Sequence, residues 1–107
     1  MEKLLQLRPR PTAVFAANDP QAIGAVYACR NAGLRVPEDI SIVGAGNIEG
    51  VFHPHPFLTT IEWPRVELGR VAADILLKRI ADRSREAPES RIFEPELLVR
   101  YSTARLS

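Results

Sequence analysis

Cysteine is nearly missing from this chain. A single one, Cys29, stands among 107 residues, which excludes an internal disulfide framework and suits a reducing compartment. It falls inside a helical pattern, where an inert packed thiol is the expectation. Long apolar runs are missing too. No stretch approaches the length of a membrane span. The N-terminus has only Leu4 and Leu5 before Gln6, too little for the core of a secretory signal. A cytoplasmic location without membrane contact follows as the expectation. Charge of one sign is also lacking: 14 Lys and Arg face 13 Asp and Glu, for a net +1. Nucleic-acid surfaces need clustered basic side chains, and here they are dispersed. No internal repeat or low-complexity tract is present. The length suits one domain, and 46% hydrophobic with 25% charged residues is the balance of a soluble globular chain.

The usual signatures of catalysis are absent as well. No Ser/His/Asp setting or paired-carboxylate motif stands out, and the chain is not read as an enzyme. His53 and His55 alternate with Pro54 and Pro56, and no Cys or acid cluster at ligand spacing accompanies them. A solvated loop is expected there, with no metal and no cofactor. Gly44, Gly46 and Gly50 follow an apolar run, and Glu62 lies at about the distance of a ribose-binding acid. A dinucleotide site, however, needs a helix opening at the glycines to face the pyrophosphate. The segment VFHPHP (51–56) cannot continue a helix through its two prolines, so the glycines read as a loop.

What the chain does contain is organised around residues 13–44. Residues 13–17 form a short apolar run with Val14 and Phe15, suited to a strand buried on both faces. Asn18, Asp19 and Pro20 then stop the strand and start a helix, with Asp19 as the cap and Pro20 at the first position. Gly33 ends that helix and Leu34 closes the turn. Pro37, Glu38 and Asp39 lead into Ile40, Ser41, Ile42 and Val43, a second buried strand. Strand, helix and strand of this length predict a crossover joining parallel strands. Ligands in such sheets sit beyond the carboxyl ends of the strands. Here those ends are Asn18 and Asp19, and Ala45, Gly46 and Asn47.

Within the helix over 20–32, Ala22, Val26 and Cys29 can face the sheet. Ile23 and Tyr27, four residues apart, share another side. Two apolar sides predict a second buried contact, another subunit rather than a neighbouring loop. Residues 1–7 read as the end of a helix, and Arg8, Pro9, Arg10 and Pro11 as a solvated extended linker. Leu58, Thr59, Thr60 and Ile61 read as a short strand. Glu62, Trp63 and Pro64 end it and open a helix in which Leu68, Val71, Ala72, Ile75, Leu76 and Ile80 recur on one packed face. Glu67, Arg70, Asp74, Lys78, Arg79 and Asp82 fall on the wet face. Residues 83–91 suggest an exposed loop. Residues 92–94 and 97–99 suggest short strands interrupted at Pro95.

AVFAANDPQAIGAVYACRNAGLRVPEDISIVG (13–44), LTTI (58–61), ELG (67–69) and PELLVRYSTA (95–104) occur in order. This series closely resembles the effector-binding region of the lactose-repressor/galactose-repressor family of bacterial transcription regulators. The resemblance implies an α/β fold: a three-layer sandwich with a parallel sheet, part of a periplasmic-binding-protein-like (type I) effector domain. It implies that residues 12–57 and 91–104 belong to a C-terminal lobe and that 58–83 cross into an N-terminal lobe. The N-terminal helix-turn-helix head would be absent and the chain a fragment, with operator DNA bound only by the full-length protein. The implied partners are a small polar effector, a sugar or sugar derivative, and a second copy, the helix carrying Ile23 and Tyr27 contributing to the dimer with Val51 and Phe52. Asn18 matches the position that hydrogen-bonds an effector hydroxyl, and Asp19 and Asn47 flank it. The family's usual effector-binding acid is here Gly46, which removes a charge-assisted bond; Asn47 would substitute in part. Trp63 stands where a polar Gln is common. It could stack on a sugar face or pack between lobes. The rival readings are a sugar-binding component of a transport system and a standalone oligomerisation module. The PEDISIVG segment and the Ser-Thr-Ala ending favour the regulator.

Overall fold

The computed structural model describes residues 1–82 and 87–107. They divide into two compact units, Met1–Glu62 with Glu96–Ser107, and Trp63–Pro95.

The first unit opens with a short helix, α1 (Glu2–Leu5). Strands β1 (Ala13–Phe15) and β2 (Ser41–Val43) then pair in parallel, with Val14 opposite Ile42. Parallel strands cannot be joined by a tight turn, and helix α2 (Asp19–Asn31) makes the connection. Its start departs from the sequence reading. Asn18, not Asp19, is the cap: its backbone is extended and its Oδ1 accepts from the Gln21 N–H at 2.9 Å. A cap must lie just outside the helix to reach back over the first turn, and Asp19 is already inside it. The helix ends as expected. Gly33 takes φ 76°, and the N–H groups of Gly33 and Leu34 return to the Arg30 and Cys29 carbonyls at 3.0 and 2.9 Å, the paired closure that a left-handed glycine permits.

Ala22, Ala25, Val26 and Cys29 of α2 are buried against Val36, Ile40, Ile42 and Leu58. Each large aliphatic among them contributes about 1.5–3 kcal/mol by burial. The expectation that β1 is buried on both faces fails. Val14 faces this core, whereas Ala13 and Phe15 point the other way and Phe15 is 63% exposed. Alternating side chains on a strand covered by one layer give this pattern.

The far edge of β2 is closed by two distant segments. The Ile42 N–H donates to the Ser102 carbonyl at 2.8 Å, and those of Gly44 and Gly46 donate to Thr59 and Ile61 at 2.9 and 2.8 Å. A parallel bridge joins Val43 to Thr59. Beyond it β3 (Thr60–Glu62) pairs antiparallel with β4 (Glu96–Leu98), Glu62 opposite Glu96. These bonds keep Leu58, Thr59, Thr60, Ile61 and Glu62 in the first unit, so the chain leaves that unit after Glu62 and re-enters it at Glu96. A five-residue helix, α3 (Ile48–Phe52), lies between β2 and β3.

The second unit holds α4 (Arg65–Asp82), entered through Trp63 and Pro64. Its expected packed face is only partly covered. Leu68, Val71 and Ile75 are half-buried, while Ala72, Leu76 and Ile80 are exposed, because the described residues of this unit supply no second layer for the stripe. On the wet side Arg70 pairs with Asp74 at 3.0 Å, an exposed i,i+4 pair of small energetic weight. Residues 92–94 form no strand, and Ile92 is 96% exposed, with no strand partner among the described residues. The loop expected over 83–91 is exposed at 87–91; residues 83–86 lie outside the described residues.

Candidate functional site at the strand ends

The parallel pairing of β1 and β2 brings their carboxyl ends to one edge of the sheet. The loops that follow are tied together there, the Asp19 N–H donating to the Ala45 carbonyl at 3.0 Å. This is the edge at which α/β sheets bind ligands.

Asp19 is fully buried beneath it. Its Oδ1 accepts from the Thr60 hydroxyl and its Oδ2 from the Ile48 N–H, both at 2.6 Å. The carboxylate therefore caps α3 from another segment, while Asn47, at the cap position, makes no side-chain cap bond. This corrects the expectation that no helix opens after the glycines. One does, because Asp19 supplies the missing acceptor, and it stops at His53, before Pro54. A nucleotide phosphate is still disfavoured, since a carboxylate already holds the N–H it would need. Gly44 makes the arrangement possible: a Cβ there would stand 2.5 Å from Asp19 Oδ1 and 2.9 Å from Leu58 Cδ2.

Asn47 lies above this inner layer, with a left-handed backbone at φ 54° and only 6% exposure. Its N–H donates to Thr60 Oγ1 at 3.3 Å. Its Nδ2 donates to Glu62 Oε1 at 3.0 Å, and its Oδ1 accepts from Arg100 Nη2 at 2.6 Å. Arg100 also donates to the Leu58 carbonyl at 3.2 Å. Behind it Ser102, fully buried, donates its hydroxyl to the Ile42 carbonyl at 2.6 Å and accepts from the Thr59 N–H at 2.8 Å.

The four ligand candidates thus occupy different situations. Asn18 is exposed, and its Nδ2 makes no hydrogen bond among the described residues, its Oδ1 being the cap. Asp19 and Asn47 come together but sit behind the surface with their polar atoms engaged. Trp63 belongs to the second unit and is 38% exposed. Sequence reasoning missed Thr60, Glu62, Arg100 and Ser102 as partners. Arg100 lies 53 residues beyond Asn47, and no local pattern connects positions so far apart.

Two of the four interface candidates, Ile23 and Tyr27, line a second surface feature. A groove of about 250 Å³ runs between Ile23, Tyr27 and Arg30 on α2 and Glu49, Phe57 and Leu58, with the Arg30 guanidinium 5.5 Å over the Phe57 ring. Tyr27, Val51 and Phe52 are exposed and Ile23 is half-buried. His53 and His55 are exposed in the following loop. Among the described residues no group of three or more metal-ligating side chains occurs, and no helix is long and apolar enough to cross a membrane.

The strand-end loops, the crossover helix and the chain's return through Ser102 define an effector-type α/β domain, and the chain belongs to the periplasmic binding protein-like domain family, whose pattern matches residues 1–103. Within that class it groups with the lactose-repressor/galactose-repressor regulators. It is 46% identical over 108 residues to the HTH-type transcriptional repressor PurR of Aliivibrio salmonicida, covering 99% of this chain and 32% of that protein. The PurR repressor of Vibrio vulnificus is 42% identical over 108 residues, with 99% and 31% covered. A ribose-bound LacI family transcriptional regulator from Enterococcus faecium superposes with a TM-score of 0.80 at 40% identity, over 99% of this chain and 38% of that one. The transcriptional regulator CelR in complex with cellobiose gives 0.83 at 36% identity, over 94% and 31%. The chain spans about a third of the length of the curated relatives it matches.

Proposed function

We propose that this chain is the effector-binding and dimerisation part of a bacterial transcriptional repressor. It takes a small polar ligand, a sugar or sugar derivative, at the carboxyl ends of β1 and β2. The observation that supports the reading is the Asn18 amide nitrogen, exposed and without a protein partner among the described residues, on a loop whose neighbours are fixed from below. Gly46 stands where the family resemblance places an acid, so the grip is made of neutral groups. Such hydrogen bonds contribute about 0.5–1.5 kcal/mol each, roughly half the value of charge-assisted ones. Asp19 and Asn47 act behind the surface by shaping the loop that presents the ligand-facing backbone. Trp63 adds a separate contact on its own chemistry, an indole face for the apolar side of a sugar ring.

The regulator bound as a dimer reaches operator DNA through a segment outside these residues and works in the cytoplasm without catalysis. Residues 12–57 and 91–104 serve the C-terminal lobe, and residues 58–83 cross into the other lobe. Ile23, Tyr27, Val51 and Phe52 serve the subunit contact.

Calorimetric titration with ribose, glucose and cellobiose tests the ligand class. Asn18→Ser keeps a capping oxygen and removes the amide donor without adding a charge, so affinity is expected to fall about fivefold to tenfold, the value of one neutral hydrogen bond, with helix content unchanged. Trp63→Ala, measured separately, should weaken binding as well. A folded parent that binds none of the three sugars, or full affinity in Asn18→Ser, would sink the strand-end site.

A further inference from the structure

We infer that Asn47 is a positioning residue: it ties the strand-end loop to the two strands by which the chain leaves and re-enters its first unit, by holding its amide between Glu62 and Arg100. The amide can sit only one way. Its oxygen faces a guanidinium, which has no acceptor, and its nitrogen faces a carboxylate, which has no donor. Turned over, it would set donor against donor and acceptor against acceptor. Both bonds are charge-assisted and so stronger than ordinary ones.

The surroundings are shaped for this side chain. Two successive residues, Gly46 at φ 116° and Asn47 at φ 54°, take left-handed backbone. Asn tolerates that conformation better than other residues with a Cβ. Gly50 leaves the space the amide fills, since a Cβ there would overlap Asn47 Oδ1, Nδ2 and Cγ. A helix cap does not explain these features, because Asn47 makes no such bond.

The three tied segments are far apart in sequence. Glu62 is the last residue of β3, where the chain departs, and is paired directly with Glu96, where it returns. Like charges opposite one another weaken a strand pair. The Asn47 amide donates to the Glu62 carboxylate at this pair. Arg100, two residues beyond β4, completes the link. A movement of residues 44–47 loosens both strands together. Resting on the proposed ligand site, this makes Asn47 the point at which an effector's presence reaches the crossing strands.

Backbone hydrogen exchange of the whole chain, without ligand, reads the link itself. Asn47→Asp keeps an acceptor for Arg100 but sets a second carboxylate against Glu62. Exchange at the β3 and β4 amides should rise about tenfold, the size of one charge-assisted bond, while the β1–β2 amides keep their rates. Adding Glu62→Gln restores a donor toward residue 47, and exchange should return to the parent rate. In the parent, Glu62→Ala and Arg100→Ala should be non-additive; with Asn47→Ala they should become additive. Unchanged β3–β4 exchange in Asn47→Asp, failure of Glu62→Gln to restore it, or additivity with Asn47 present would overturn the inference. If Asn47→Asp unfolds the chain, the Glu62 and Arg100 cycle measured with and without Asn47→Ala decides. A parent that binds no sugar would overturn the proposed function without altering this result.

Discussion

Gly44 lies beneath the Asp19 carboxylate with no room for a methyl group. Gly44→Ala forces either the buried carboxylate or Leu58 to move. Overpacking of this kind costs about 1–3 kcal/mol, to be read as a lower denaturant midpoint at unchanged slope; a midpoint within error of the parent would show that the inner layer yields freely. Asp39 sets a different test. It accepts from the Arg35 N–H at 2.7 Å and from Nε and Nη2 at 3.0 Å, and the Arg35 side-chain bonds, then its backbone bond, hold the carboxyl at about 2, below the ordinary 3.8. A lowered folded-state value means stabilisation present above 3.8 and lost as pH falls through about 2. Asp39→Asn should therefore be less stable than the parent at neutral pH, and the two should converge below about pH 2. A gap that persists there would place the effect elsewhere than in this carboxylate. The sequence announced that something polar starts α2, since Asn18, Asp19 and Pro20 are cap-forming types. It could not say which residue caps, because that depends on Thr60 and the Ile48 N–H claiming Asp19 from other segments.

Ser102 belongs to no strand, yet it locks the return segment to β2 and to Thr59 through one hydroxyl. Ser102→Ala leaves the buried Thr59 N–H without its acceptor. Such a group costs about 1–3 kcal/mol, and the thermal unfolding temperature should fall accordingly; an unchanged temperature would show that Thr59 finds another acceptor. Elements with local causes were legible. The spacing of Ala22, Val26 and Cys29 gave the inner face of α2, and Gly33 with Leu34 gave its end. Elements with distant causes were not. The full burial expected for Phe15 depends on a layer the described residues do not supply, and the same holds for Leu76 and Ile80 on α4. The α3 helix depends on a carboxylate 29 residues upstream.

For the molecule as a whole, the order of strand, helix and strand was enough to give the fold class, and the family's series of segments gave its kind. The point at which the chain leaves its first unit was less visible, because Thr59 and Ile61 are held by the N–H groups of Gly44 and Gly46. Tyr27, Val51 and Phe52 are apolar and exposed, Phe52 at 83%. Exposed apolar surface of this kind favours association. If the proposed dimer forms through these residues, Tyr27→Ser with Phe52→Ser should shift sedimentation toward the monomer, and an unchanged distribution would remove them from the proposed contact.

Cys29 sits wholly inside the core, and burial pushes its thiol up from the ordinary value. A thiolate is the reactive form, so an alkylating reagent meets this side chain only when α2 lifts from the sheet. The chain thus carries its own stopwatch. The rate at which Cys29 is consumed by reagent counts openings of the native state, with no label added and no second sulfhydryl to confuse the count.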